Sequence, residues 1–145
     1  LARDHLERRL GFDEVMVRDF PQLTVLASLE GRDDPDLIEE LLPDALLEND
    51  DVIGIYSSAA GNEGLLRCLD RQDPHARPIV VAHELTSLSR GALTDGLFDA
   101  VISQDSGHLV RSAVRIMRAK VDRMPINNAQ ERIRIDVYLK ENMPA

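Results

Sequence analysis

Pro78-Ile-Val-Val-Ala82, followed at once by His83 and Glu84, is the stretch on which the fold turns. Five uncharged residues, three of them β-branched, predict a strand covered on both faces, the usual state of a strand inside a parallel sheet. Such a strand needs partners of its own kind. One lies upstream in Asp51-Val-Ile-Gly-Ile-Tyr56, the other downstream in Phe98-Asp-Ala-Val-Ile-Ser103. Parallel neighbours are joined by crossovers, and the intervening residues read as helices. Leu65, Leu66, Cys68 and Leu69 form one apolar face, ended by Asp73-Pro74, and a second helix runs from about Leu88 to Leu93 and stops at Asp95-Gly96.

Further upstream, Asp34-Pro35 supplies a capping side chain and a proline suited to a first helical turn. Leu37, Ile38, Leu41, Leu42, Ala45 and Leu46 then repeat at helical spacing, and Pro43 is expected to kink or split that helix near Leu42. Leu23-Thr-Val-Leu-Ala-Ser-Leu29 reads as a strand, and residues 2–10 as a helix stopped by Gly11. Downstream, residues 106–123 form the longest predicted helix, with Leu109, Val110, Ala113, Val114, Met117 and Val121 on one stripe. Arg132-Ile-Arg-Ile-Asp-Val-Tyr-Leu139 alternates strictly, marking an edge strand with one face in solvent. The whole predicts an α/β fold, a three-layer α/β/α Rossmann-like lobe with a mostly parallel sheet and helices on both faces. The chain opens on a helix where this logic places a central strand, so it is expected to be one lobe, 1–145, of a larger unit.

Composition narrows the function. At 145 residues, 43% hydrophobic and 30% charged, the chain has the balance of a globular domain. No apolar run is long enough to span a bilayer, and no membrane partner is expected. The first residues carry no signal-peptide pattern, and a lone cysteine, Cys68, fits a reducing cytoplasm. A net charge of −9 argues against a DNA-gripping surface. Thirteen acidic residues lie between Asp13 and Asp51 against Arg18 and Arg32, while Arg111 to Lys140 holds eight basic and three acidic residues. Two differently solvated faces, or an inter-domain or inter-subunit contact, would each produce that asymmetry.

Enzyme motifs are missing their essential parts. Gly61-Asn-Glu-Gly64 lacks dinucleotide-loop spacing, and the only lysines, Lys120 and Lys140, stand away from any phosphate loop or receiver-type strand end. His5, His75, His83 and His108 have no metal-ligand spacing, and Ser57-Ser58 has no nucleophile-elbow frame. No cofactor and no catalysis are expected. What remains is a ring of polar residues at consecutive strand ends: Ser57 and Ser58, His83 and Glu84, Gln104 and Asp105. Ligands of open α/β sheets bind at that edge, and carboxylates and amides suit hydroxyl-rich molecules. Helix capping by Asn62, Thr86 and Asp105, and a structural His83 bonded to nearby backbone, are the competing readings.

Val52-Ile-Gly-Ile-Tyr-Ser-Ser58, Gly61-Asn-Glu-Gly-Leu-Leu66, Val80-Val-Ala-His-Glu-Leu-Thr86 and Gly96-Leu-Phe-Asp-Ala-Val-Ile-Ser-Gln-Asp105 together resemble the effector domain of lactose-repressor-type (LacI) regulators. Arg8-Arg-Leu-Gly-Phe12 resembles the segment that opens the second lobe of that domain. The resemblance implies a type I periplasmic-binding-protein-like architecture of two α/β lobes hinged around a ligand cleft. It implies a sugar or sugar-like effector held by Arg8 (Arg9 being the alternative), Glu84 and Gln104, with Ser57 or Ser58 at a position where an asparagine is usual. It also implies a homodimer, a cytoplasmic location, and DNA contact only through an N-terminal head outside this chain. A solute-binding protein of a sugar transporter uses the same clamp and is the alternative. The resemblance places the 106–123 helix against the other lobe, so Val110, Val114 and Met117 are expected to find a substitute partner in this lobe or in another copy.

Overall fold

The computed structural model describes residues 3–144. Its elements, in chain order, are α1 (Arg3–Asp19), α2 (Pro35–Glu48), β1 (Gly54–Ser57), α3 (Asn62–Leu69), β2 (Ile79–His83), α4 (Ser87–Thr94), β3 (Ala100–Gln104), α5 (Ser106–Val121) and β4 (Ile135–Tyr138). The four strands form one sheet in the order β1-β2-β3-β4. β1, β2 and β3 are parallel, with Ile55 opposite Val80 and Ala82 opposite Val101, and β4 returns antiparallel with Val137 opposite Ile102. This is the α/β class with a mostly parallel sheet that the alternation predicts.

Pleating sends alternate residues to opposite faces. Val80, Ala82 and Val101 are buried on the face that carries the core, together with Leu65, Cys68 and Leu69 of α3, Ala92 and Leu93 of α4, Leu42 of α2, and Phe98. Each fully buried Val, Leu or Phe here contributes roughly 1.5–3 kcal/mol. Local chemistry sets the helix starts. Asp34 accepts from the Asp36 amide at 2.9 Å, and Thr86 forms a capping box with Ser89. α3 begins instead at Gly61, whose φ of +94° is open to glycine at little cost, so Asn62 is the first helical residue and not the cap. Gly64 allows α3 to press against α2, because a Cβ there would collide with the Pro35 carbonyl.

The opposite sheet face is thinly covered. Tyr56, whose neighbour Ile55 faces the core, stacks on Phe12 of α1 with ring centroids 4.8 Å apart and planes at 18°. α1 has no buried residue.

Several expectations are corrected. The first helix does not stop at Gly11 but runs to Asp19, since an exposed glycine lowers helix propensity without breaking it. The helix holding Pro43 is not split and continues to Glu48. Residues 23–29 are not a strand: they belong to no sheet, and Leu23, Val25, Leu26 and Leu29 are exposed. A strand exists only through ladder bonds, and β propensity alone supplies none. β4 is an edge strand as expected, but Ile135 and Val137 form its solvent face while Asp136 and Tyr138 are half-buried. Val110, Val114 and Met117 are 61, 55 and 60% exposed, so this lobe is not their partner. α5 leans instead on the 126–132 segment, where Arg115 grips Glu131 with two bonds of 2.8 and 2.7 Å.

Candidate functional site

The carboxyl ends of β1 and β2 meet the first turns of α1. Asp4, Arg8 and Phe12 are spaced four residues apart and therefore share one helix face. Phe12 reaches Tyr56, and Arg8 reaches the two strand ends. Arg8 Nη1 donates to the Ser58 carbonyl at 3.0 Å, and Nη2 donates to Glu84 Oε1 at 2.9 Å. Asp4 Oδ2 lies 3.8 Å from the same Nη2, and His5 Nε2 lies 3.9 Å from Asp4.

Glu84 is held in a conformation that costs energy. Its φ of +66° lies in the left-handed region, disfavoured for any residue with a Cβ and worth on the order of 1 kcal/mol. Its backbone is pinned from two sides: its amide donates to Ile102 of β3 at 2.8 Å, and its carbonyl accepts from Ser89 Oγ of α4 at 2.7 Å. The sheet and α4 together over-determine this residue, and its carboxylate is delivered to Arg8.

His83 sits beneath this pair. Its Nε2 is 2.7 Å from the Tyr56 hydroxyl, and the two rings meet edge-on at 5.5 Å. The structural role expected of His83 holds in kind but not in partner, since it bonds a phenol rather than backbone. Its Nδ1 is buried and has no hydrogen-bond partner. Burial first, and then the charge of Arg8, push the imidazole down to about 4, so it is neutral near pH 7. Burial likewise raises the Tyr56 phenol. The pair is therefore uncharged.

Of the six residues expected at the site, the structure joins Arg8, Glu84 and Ser58 directly, Ser58 through its carbonyl. Ser57 is adjacent, but its hydroxyl donates to Asn62 Oδ1 at 2.7 Å and ties β1 to the start of α3. Gln104 ends β3 opposite Ile135 and is half-buried. Asp105 caps α5, accepting from the His108 amide at 2.7 Å, and that bond holds its carboxyl below the usual range. No hydrogen bond among the described residues links Gln104 or Asp105 to Arg8 or Glu84. Asp4, Phe12 and Tyr56 were missed by sequence reasoning, although the four-residue spacing of Asp4, Arg8 and Phe12 was a signal for them.

The corner opens to solvent through its carboxylates, Asp4 being 57% and Glu84 42% exposed. Clefts of about 170 Å³ beside Arg115 and Ile126, and of about 310 Å³ beside Arg77 and Asp95, lie away from it. Both carry charged groups of their own, including the Arg115–Glu131 pair, but neither is lined by the carboxyl ends of the parallel strands, the edge at which ligands of open α/β sheets bind. No group of three metal-ligating side chains occurs among the described residues, and no helix there is long and apolar enough to cross a membrane.

Comparison with known proteins agrees with the fold. The family model described as "Periplasmic binding protein domain" matches residues 1–123. No curated protein sequence matches. Among solved structures, AraP, an arabinose-binding protein from Geobacillus stearothermophilus, superposes with a TM-score of 0.79 at 17% identity over 97% of this chain and 51% of its own. A solute-binding protein of an ABC transporter from Agrobacterium vitis, bound to α-D-tagatopyranose, gives 0.81 at 21% identity over 95% and 46%. GanP, a glucose-galactose binding protein from Geobacillus stearothermophilus, gives 0.81 at 19% over 95% and 49%. The chain spans about half the length of these proteins.

Proposed function

Because the chain belongs to the periplasmic binding protein domain family, we propose that it is one lobe of a two-lobe clamp that closes on a small sugar, as in the solute receptor of a transporter. The observation that carries this reading is the Arg8–Glu84–Ser58 constellation at the carboxyl edge of a parallel sheet, built on a backbone strained at Glu84. Planar guanidinium and carboxylate groups held by second partners offer hydrogen bonds in fixed directions, which is what a ring of hydroxyls requires. The sugar-binding proteins of similar fold support the ligand class, and the transporter receptors among them favour the solute-receptor form. Ligand captured between lobes shifts the population toward the closed state by its extra affinity for that state. Binding and release are the whole activity proposed, with no chemical step.

The test is a calorimetric titration with a panel of pentoses and hexoses, repeated on Glu84→Ala and Arg8→Met. Saturable binding that weakens tenfold or more in both variants is the expected result. Binding untouched by both would move the site elsewhere, and no binding across the panel would end the sugar reading.

A second reading, the effector lobe of a LacI-type regulator in the cytoplasm, is compatible with the exposed apolar stripe of Val110, Val114, Met117 and Val121 on α5, a face that either the other lobe or a second copy would cover. A dimeric regulator needs an apolar contact between copies, whereas a transport receptor works as a monomer. DNA would be reached only through a separate head, since this chain carries a net charge of −9. Light scattering separates the two: a dimer that Val114→Glu dissociates supports the regulator, and a monomer supports the receptor.

A further inference from the structure

We infer that the corner formed by Asp4, Arg8 and Glu84 selects its ligand by charge, taking an amine-bearing sugar ahead of the neutral sugar and turning away the corresponding sugar acid. The inference rests on the sugar-binding reading above and names the ligand class within it.

An arginine at a ligand cleft can receive an anion, but the geometry of Arg8 says otherwise. The guanidinium side chain is only 14% exposed, and both of its terminal nitrogens are engaged, one by the Ser58 carbonyl and the other by Glu84. Asp4 closes on the same nitrogen from 3.8 Å. The two carboxylates are far more open, at 57% for Asp4 and 42% for Glu84. A ligand arriving at this corner therefore meets carboxylate oxygen before it meets guanidinium N–H.

The charge count agrees. One cation faces two anions, so the corner keeps one negative charge. The groups packed around it do not cancel that charge. His83 is held neutral and Tyr56 is an unionised phenol. His5 stands beside Asp4, its Nε2 3.9 Å from the carboxylate. Arg9 turns to Asp13 at 3.6 Å, and Arg111 stands 3.9 Å from Asp105 at the end of β3.

An ammonium group presents three N–H donors and the missing positive charge, so it satisfies both carboxylates together. A hydroxyl donates one bond and brings no charge. A carboxylate on the ligand offers acceptors to acceptors and adds repulsion. Unit charges about 4 Å apart at a partly exposed protein site differ by enough between these cases to change affinity roughly tenfold at each step.

The experiment is a calorimetric titration of the chain at pH 7 with D-glucose, D-galactose and D-mannose, their 2-amino-2-deoxy forms, and their uronic acids. For the stereochemistry that binds, the expected order is amine, then neutral, then acid, with about tenfold between neighbours. The spread should shrink on raising salt from about 0.05 to 0.5 M, because exposed charges are screened. Asp4→Asn and Glu84→Gln should each narrow it further, and the exposed Asp4 position makes its variant safe for folding. Equal affinities, an acid that binds tightest, or an order indifferent to both variants overturns the charge selection while leaving the sugar reading in place. Absence of binding by all nine ligands overturns the charge selection, and the sugar reading falls with it when the pentoses also fail to bind.

Discussion

Arg8 and Glu84, 76 residues apart in sequence, meet through a 2.9 Å bond that fastens the first turns of α1 to the end of β2. Together with the Phe12–Tyr56 stack, this contact is how a helix with no buried residue stays on the sheet. Site and tether are the same residues, so perturbing one perturbs the other.

Removing the tether should free the helix more than it weakens the fold. Glu84 is partly exposed, so Arg8→Met is expected to cost about 1 kcal/mol of global stability. Hydrogen exchange should rise selectively across residues 3–19 and stay unchanged in β2 and α3. A uniform rise would mean that Arg8 supports the core instead.

His83 makes stability depend on acidity in a defined window. Its folded value, near 4, lies below the ordinary 6.5, so between these values the unfolded chain binds more protons than the folded one. The contribution is therefore complete above about pH 6.5 and is lost as pH falls toward 4, by on the order of 2 kcal/mol. Urea midpoints measured from pH 4 to 7.5 should climb with pH, and His83→Gln should flatten the climb. An unchanged slope in that variant would assign the effect to carboxylates.

Tyr56→Phe deletes the only hydrogen bond found for the His83 ring among the described residues. With both ring nitrogens then buried and unpaired, a loss of roughly 1–3 kcal/mol is expected. Thermal melting of Tyr56→Phe and of the His83→Gln, Tyr56→Phe double variant measures it. Equal and additive losses would show that the two side chains do not act as a pair.

Two glycines in helices should respond in opposite senses. Gly64→Ala drives a methyl into the Pro35 carbonyl and should destabilise by about 1–3 kcal/mol or more. Gly11→Ala meets nothing within 4 Å and should stabilise the exposed α1 by roughly 0.5–1 kcal/mol. Chemical denaturation of the two variants side by side is the check, and a loss at Gly11 would reveal a contact on that face.

Burial also raises the Cys68 thiol, 5% exposed between α2 and α3. A thiol reagent at pH 8 should label it only as fast as the protein opens, so labelling should accelerate sharply in Gly64→Ala, whose change lies in the same helix contact.

Much of the fold was legible because its signals are local. The uncharged Pro78–Ala82 run became β2, Asp34 and Thr86 capped α2 and α4, and Asp105 capped α5. The ring at the strand ends was legible as a location, because a parallel sheet brings those ends to one edge. Its membership was less so. Ser57 and Ser58 look equivalent in sequence, yet one hydroxyl is spent on Asn62 while the other residue offers only its carbonyl to Arg8. Phe12 and Tyr56 gave no sign of each other, because stacking is a contact between residues 44 positions apart.

By itself, then, the sequence determined the alternation of elements, the parallel class of the sheet and the edge at which its chemistry collects. Each of these follows from propensities and caps that act over a few residues. Only the tertiary structure decided that residues 23–29 remain outside the sheet, that β4 turns Ile135 and Val137 outward, and that Arg8 is enclosed by carboxylates instead of free to meet an anion. Ladder bonds, burial and ion pairing each need a partner from elsewhere in the chain, and no local pattern supplies one.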